Sequence, residues 1–173
     1  MAERLIGKAA PKFTMEAVMA NGEFGKVSLD ELKGKWVVLF FYPLDFTFVC
    51  PTEIRGFNDY YEKFQELNCE VIGASTDSKF SHKAWIENGL GALKFPLAQD
   101  LTHAVSSDYG VLIEEEGITL RGLFIIDPDG VLKYGVVQDN NVGRSVDETI
   151  RVLEAFQSGG LCPINWKPGQ ATL

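Results

Sequence analysis

The sequence predicts an α/β domain whose central mixed β-sheet is flanked by helices, and three observations carry that reading. WVVLFFY (36–42) and EVIGAS (70–75) are continuous apolar, β-rich runs of the kind buried on both faces of a sheet. Between them, Ile54, Phe57, Tyr61 and Phe64 recur three to four residues apart, which makes a single helical stripe over 51–67 ending near Asn68. LFIID (123–127) and VLKYGVVQ (131–138) flank the turn Pro128-Asp129-Gly130, so they form an antiparallel hairpin. A strand-helix-strand unit joined to a hairpin makes the sheet mixed and leaves the last strand as an open edge.

Further helices are expected over 78–88, 102–109 and 145–157, the last opened by a capping-box pairing of Ser145 with Glu148. After Gln157 the text changes. SGGLCPINWKPGQATL holds three Gly and two Pro in 16 residues, too many breakers for a regular element. It predicts an extended, mobile tail with few contacts to hold Cys162. The chain therefore divides into a body, 1–158, and a tail, 159–173.

At 173 residues, 46% hydrophobic with twelve Phe, the chain suffices for one buried core. A net charge of -8 repels a phosphate backbone or an anionic membrane, which excludes nucleic acid as a natural partner. The longest apolar run, 36–42, is far below the roughly 20 residues of a membrane span. The start, MAERLIGKAAPKF, has no apolar stretch of the secretory kind, so the expected location is cytoplasmic. Three cysteines are too few for a disulfide framework, and an odd number leaves one unpaired within the chain. Cys50, Cys69, Cys162, His82 and His103 lack the short paired spacings of zinc sites, and no cofactor motif is present, so neither metal nor cofactor is expected. Cys69 and Trp85 read as core residues, and His82 and His103 as surface or capping residues of their helices.

Cys50 remains as the residue with chemistry. It follows strand 36–42 after the loop PLDFTFV and precedes Pro51, a residue suited to the first turn of a helix. A thiol at a helix N-terminus meets free backbone N–H groups and the positive end of the helix dipole, and both favour the nucleophilic thiolate. Thr47 lies three residues earlier, and Arg121 supplies a candidate cation from another strand end. The competing reading is a buried core cysteine.

YPLDFTFVCPTEI resembles the active-site signature of the peroxiredoxins, with Pro43, Thr47 and Cys50 at motif positions. GITLRGLFIID resembles the segment that supplies that family's active-site arginine, here Arg121, and VGRSVDET the one that contributes a second, here Arg144. LCPINWKPG resembles the segment around the resolving cysteine, which places that role on Cys162, and STDSKFSHKAW resembles a further family stretch. Glu53 suits a helix N-terminus, and the resemblance also puts it in the active-site network. Arg55 is either a surface residue or a partner in that network.

The resemblance runs from about Pro11 to Leu173 and implies a thioredoxin-like fold of the typical two-cysteine class, close to bacterial alkyl hydroperoxide reductase peroxidase subunits. It implies that hydrogen peroxide and alkyl hydroperoxides are reduced through a Cys50 sulfenic acid and an intersubunit Cys50–Cys162 disulfide. A thioredoxin-like or flavoprotein reductant then reopens the disulfide, and homodimers assemble into a decamer. The chemistry agrees: thiolate attack splits the O–O bond, Arg121, Thr47 and the Cys50 N–H meet the peroxide oxygens, and Pro43 shields the pocket. The connection SGGL is shorter than the family's, Asn141 replaces a proline, and 88–91 reads Asn-Gly-Leu-Gly instead of Gly-Gly-Leu-Gly, with no terminal Tyr-Phe helix. With a loose tail, resolution is expected to outpace a second oxidation.

Other classes fare worse. A thioredoxin-type oxidoreductase needs a second cysteine where Glu53 stands. A cysteine phosphatase needs a glycine-rich cradle, and Pro51 removes one of its N–H groups. An interaction role, as a ring-forming holdase or a redox signalling partner, is the alternative from a different class.

Overall fold

The computed structural model describes residues 3–173, which fall into two compact units meeting at the Gly143/Arg144 junction. In the first unit the described residues form a seven-stranded sheet in the order β2-β1-β5-β4-β3-β8-β9. Its strands are β1 (Thr14–Val18), β2 (Phe24–Ser28), β3 (Trp36–Phe41), β4 (Cys69–Ser75), β5 (Leu97–Gln99), β8 (Arg121–Ile126) and β9 (Leu132–Gln138). β6 (Leu112–Ile113) and β7 (Ile118–Thr119) pair separately. β3 runs parallel to β4 and antiparallel to β8, so the sheet is mixed as expected. β9 is the open edge; its Leu132 is buried, and from Tyr134 to Gln138 its positions alternate between half-buried and exposed.

The runs read from the sequence sit at the centre. Val38, Leu39, Phe40, Phe41 and Tyr42 are fully buried, as the continuous apolar run requires. The hairpin closes at Gly130, whose positive φ of 83° supports the turn bonded from Gly130 N to Asp127 O. The β1–β2 hairpin was signalled only by Asn21-Gly22, with Gly22 at φ 80°, because five-residue strands with one weakly apolar face lack a clear period. β5, β6 and β7, at two or three residues each, are too short to carry any period.

The helical stripe over 51–67 is two helices, α1 (Cys50–Asp59) and α2 (Tyr61–Glu66). Tyr60, at φ -96° and ψ 8°, kinks the backbone between them, and Asn68 in the left-handed region (φ 51°) ends α2. Ile54, Phe57 and Phe64 are buried as the stripe predicts, while Tyr61 is only half-buried. Phe57 stacks on Phe40 with ring centroids 4.5 Å apart, which fixes α1 on the sheet. Gly73 makes the room: a Cβ there would stand 2.8 Å from the Phe40 ring.

α3 (Lys79–Trp85) is capped by Ser78, which accepts from Ser81 N, and ends in a wider turn over Ile86–Leu90. α4 (Ala104–Asp108) has His103 at its N-cap position. His82 is a correction: it is fully buried in α3 rather than on the surface, because a buried carboxylate described below satisfies it. Trp85 and Cys69 are core residues as expected, and burial pushes the Cys69 thiol well above its ordinary range.

The second unit holds α5 (Val146–Gln157), whose N-cap Ser145 accepts from Glu148 N at 3.1 Å as the capping pattern predicted. The residues that follow form no helix or strand, in line with their breakers, but they are not loose. Trp166 is 4% exposed, its indole N–H donates to Gln170 O at 3.1 Å, and its carbonyl accepts from Arg151 Nη1 at 2.9 Å. Leu173 N donates to Leu161 O at 2.9 Å, turning the end of the chain back on itself. One aromatic anchor thus supplies contacts that breaker counting does not register. Among the described residues no helix is long and apolar enough to cross a membrane.

Candidate active site

Strand order brings the site together. Phe40 pairs with Leu123, so the start of β8 lies at the C-terminal end of β3, where the chain leaves the sheet for α1. Cys50 is the first residue of α1 and has no exposed surface. Arg121 opens β8 and is 2% exposed. Its Nη1 donates to Cys50 Sγ at 3.4 Å and to Glu53 Oε2 at 2.7 Å, and its Nε donates to Asn140 O at 2.9 Å. The guanidinium is therefore held in one orientation, against a thiol that also sits at the positive end of a helix.

Pro43 is buried in the loop between β3 and α1, where it offers no N–H. Thr47 donates its hydroxyl to Leu44 O at 2.9 Å, which leaves its oxygen lone pairs as acceptors. Phe46 holds a φ of 58°, a strained value for an aromatic residue, which a loop keeps only when its surroundings fix it.

A buried network does the fixing. Asp45 accepts from Tyr42 Oη, from Ser81 Oγ and from His82 Nδ1, each at 2.8 Å, and its own N–H donates to Asp77 Oδ2 at 2.9 Å. His82 Nε2 faces Ala98 O at 3.0 Å, so both ring nitrogens meet oxygen. Burial, then the Asp45 carboxylate, holds both Tyr42 and Asp77 above their usual ranges. Sequence reasoning missed this support. Its one signal was Asp45, the single charged residue of the loop 43–49. Asn140 was missed too, because it acts through a main-chain carbonyl that carries no residue code.

Of the predicted site residues, the structure joins Cys50, Glu53 and Arg121 directly and places Pro43 and Thr47 in the adjoining loop. Cys162 and Arg144 belong to the second unit. Arg144 immediately precedes the N-cap of α5, and Cys162 is half-buried, with Sγ 3.4 Å from Ser158 Oγ and 3.6 Å from Ala155 O. All three cysteines are free within the chain. Arg55 is not part of the Cys50 network: its Nε donates to Leu90 O at 3.2 Å and its Nη2 to Gly89 O.

The family model described as "AhpC/TSA family" matches residues 6–135. The chain is 64% identical over 180 positions to "Putative peroxiredoxin YkuU" of Bacillus subtilis, covering all of both sequences. It is 53% identical to "Peroxiredoxin-1" of Gallus gallus, covering 97% of this chain and 89% of that one. Among solved structures, the reduced 2-Cys peroxiredoxin of Plasmodium vivax superposes with a TM-score of 0.96 at 40% identity, over 98% of this chain and 93% of that one. AhpC of Enterococcus faecalis superposes with a TM-score of 0.88 at 39% identity, over 93% of this chain and all of that one. The thioredoxin-like fold, the thiol set against a buried guanidinium and these likenesses agree: the chain belongs to the AhpC/TSA family and is a thiol-dependent peroxidase, a peroxiredoxin of the typical two-cysteine class.

Proposed function

We propose that Cys50 is the peroxidatic nucleophile and that Cys162 of the partner subunit resolves it. The observation that carries this reading is the 3.4 Å contact of Arg121 Nη1 with Cys50 Sγ at the start of α1. The Cys50 thiolate attacks one peroxide oxygen, the O–O bond breaks, and the departing alkoxide or hydroxide takes a proton and leaves as alcohol or water. Arg121 Nη2, without a partner among the described residues, is placed to meet the charge that develops on the departing oxygen. Thr47 Oγ1 accepts from the hydroperoxide O–H, Pro43 walls the pocket, and Glu53 keeps Arg121 aligned. The family resemblance implies Arg144 as a second, supporting cation.

The resulting Cys50 sulfenic acid is attacked by the Cys162 sulfur; the S–O bond breaks, water leaves and a disulfide forms. A dithiol reductant of the thioredoxin-like or flavoprotein class reopens it. Hydrogen peroxide and alkyl hydroperoxides are both substrates in this reading. The open edge strand β9 supports pairing into a homodimer, and the exposed Leu44, Phe46 and Phe48 of the active-site loop support further packing of dimers into a decamer. Free thiols fit the reducing cytoplasm.

Reduced parent, Cys50→Ser and Cys162→Ser proteins, treated with hydrogen peroxide and run on a non-reducing gel, test the reading. The parent is expected to form a dimer-sized band and neither variant to form it. Rapid peroxide consumption by Cys50→Ser, or a parent that stays monomer-sized, overturns it. Sedimentation of the reduced protein as a monomer overturns the assembly.

A further inference from the structure

We propose that Arg55 is a positioning residue of the peroxidase cycle: by bonding the carbonyls of Gly89 and Leu90 it keeps the first turns of α1 wound, and so slows release of Cys50 toward its resolving thiol. The inference rests on the roles given to Cys50 and Cys162 above.

The turn over Ile86–Leu90 is broken at Asn88 and at Gly89 (φ 150°) and closed by Gly91 (φ 93°), so no helix continues beyond it to take its last carbonyls. Arg55 takes two of them. A planar guanidinium fork suits two adjacent carbonyls in a way a single ammonium does not, and a cation is favoured where carbonyls converge. Arg55 itself lies five residues after Cys50, on an exposed position of α1, so its stem is not needed for the core.

The two halves of α1 are held differently. The later half is anchored by the Phe40–Phe57 stack at 4.5 Å and by Asn58 Oδ1, which accepts from Lys94 N at 2.8 Å. The earlier half carries Cys50 and Ile54 with no exposed surface, and its polar ties to other elements include Arg121 to Cys50 and Glu53, and Arg55 to the loop. Arg121 is committed to the reacting thiol. Arg55 touches neither Cys50 nor Arg121 among the described residues, so it governs opening without entering the chemistry.

A buried Cys50 sulfenic acid cannot be reached by a second chain. For the Cys162 sulfur to approach in line, with water leaving as the S–S bond forms, the first turn of α1 must unwind. Loss of the Arg55 bonds makes that opening more frequent. Because the open form is rare, a tenfold rise in its population still leaves the attacking form dominant.

The test is Arg55→Met, which keeps the stem and removes the donors, beside Arg55→Lys, which restores one charged donor. Hydrogen exchange of the reduced protein is expected to be about tenfold faster at the amides of 52–56 in Arg55→Met, unchanged in α5, and intermediate in Arg55→Lys. Quenched-flow oxidation by hydrogen peroxide is expected to stay within about threefold of the parent while disulfide formation quickens several-fold, since only opening has changed. Unchanged exchange at 52–56 overturns the proposal, and so does an equal loss of both oxidation and disulfide rates, which would make Arg55 a merely structural residue. Exchange reads Arg55 without Cys162, so a parent that forms no Cys50–Cys162 disulfide counts against the roles above while the exchange result still decides this one.

Discussion

Arg121 binds two residues on successive turns of one helix: its Nη1 is 3.4 Å from Cys50 Sγ and 2.7 Å from Glu53 Oε2. The three-residue spacing puts thiol and carboxylate on the same face of α1, and a single cation from β8 serves both. Glu53 and Arg121 are each almost wholly buried, so neither tolerates loss of the other.

Replacing Arg121 by Met is therefore expected to act twice. The rate of Cys50 oxidation falls by about 10² to 10³, the usual effect of removing one donor to a developing oxyanion. Stability falls by about 3–5 kcal/mol because a buried ion pair is broken. Stopped-flow peroxide kinetics and urea denaturation read the two separately, and an unaltered oxidation rate contradicts the role of Arg121.

His82→Leu tests the support beneath the active-site loop. It removes the partner 2.8 Å from Asp45 Oδ2 and leaves a buried carboxylate short of one hydrogen bond. The expected loss is about 1–3 kcal/mol, which for a domain of this size lowers Tm by about 2–4 °C for each kcal/mol. A Tm equal to the parent's contradicts the assigned network.

Alkaline solutions are expected to destabilise the protein from about pH 9 upward. Burial raises the Cys69 thiol above its ordinary 9.0, and burial likewise raises Tyr61 to about 12 and Tyr42 and Tyr109 above their ordinary 10.0. The unfolded chain therefore releases these protons first. Stability from these groups is fully present below their unfolded values and is lost as pH rises toward the folded ones, by about 1.4 kcal/mol per pH unit for each deeply buried group. Denaturation midpoints at pH 8 and pH 10.5, for the parent and for Cys69→Ala, check it; the variant is expected to lose less on going alkaline.

Arg151→Met is expected to loosen the segment carrying Cys162, since it removes the bond to Trp166 O at 2.9 Å. Limited proteolysis after Gln157 should then be faster than in the parent. The hydrogen bond from Arg151 holds the Glu148 carboxyl below its ordinary 4.5, so this group supports the fold above that value and loses its contribution as pH falls through the lower, folded one. The same variant should therefore return Glu148 to its ordinary range in an NMR titration. A tail cut no faster than the parent's means that Trp166 alone anchors it.

By itself the sequence determined the central strands, the β8–β9 hairpin, the capped start of α5 and the thiol at the start of a helix, because apolar period, turn residues and caps act over a few neighbouring positions. The resemblance added Arg121 and Cys162 by motif. Only the tertiary structure decided that Arg121, 71 residues from Cys50, reaches its sulfur, since that follows from the pairing of β3 with β8. The same holds for His82, whose burial is tolerable only because Asp45, 37 residues away, accepts from it. It holds again for Trp166, which packs a segment that its breakers had marked as loose. A residue's burial and partner depend on strand order and register, which join distant parts of the chain, and no local pattern carries that information.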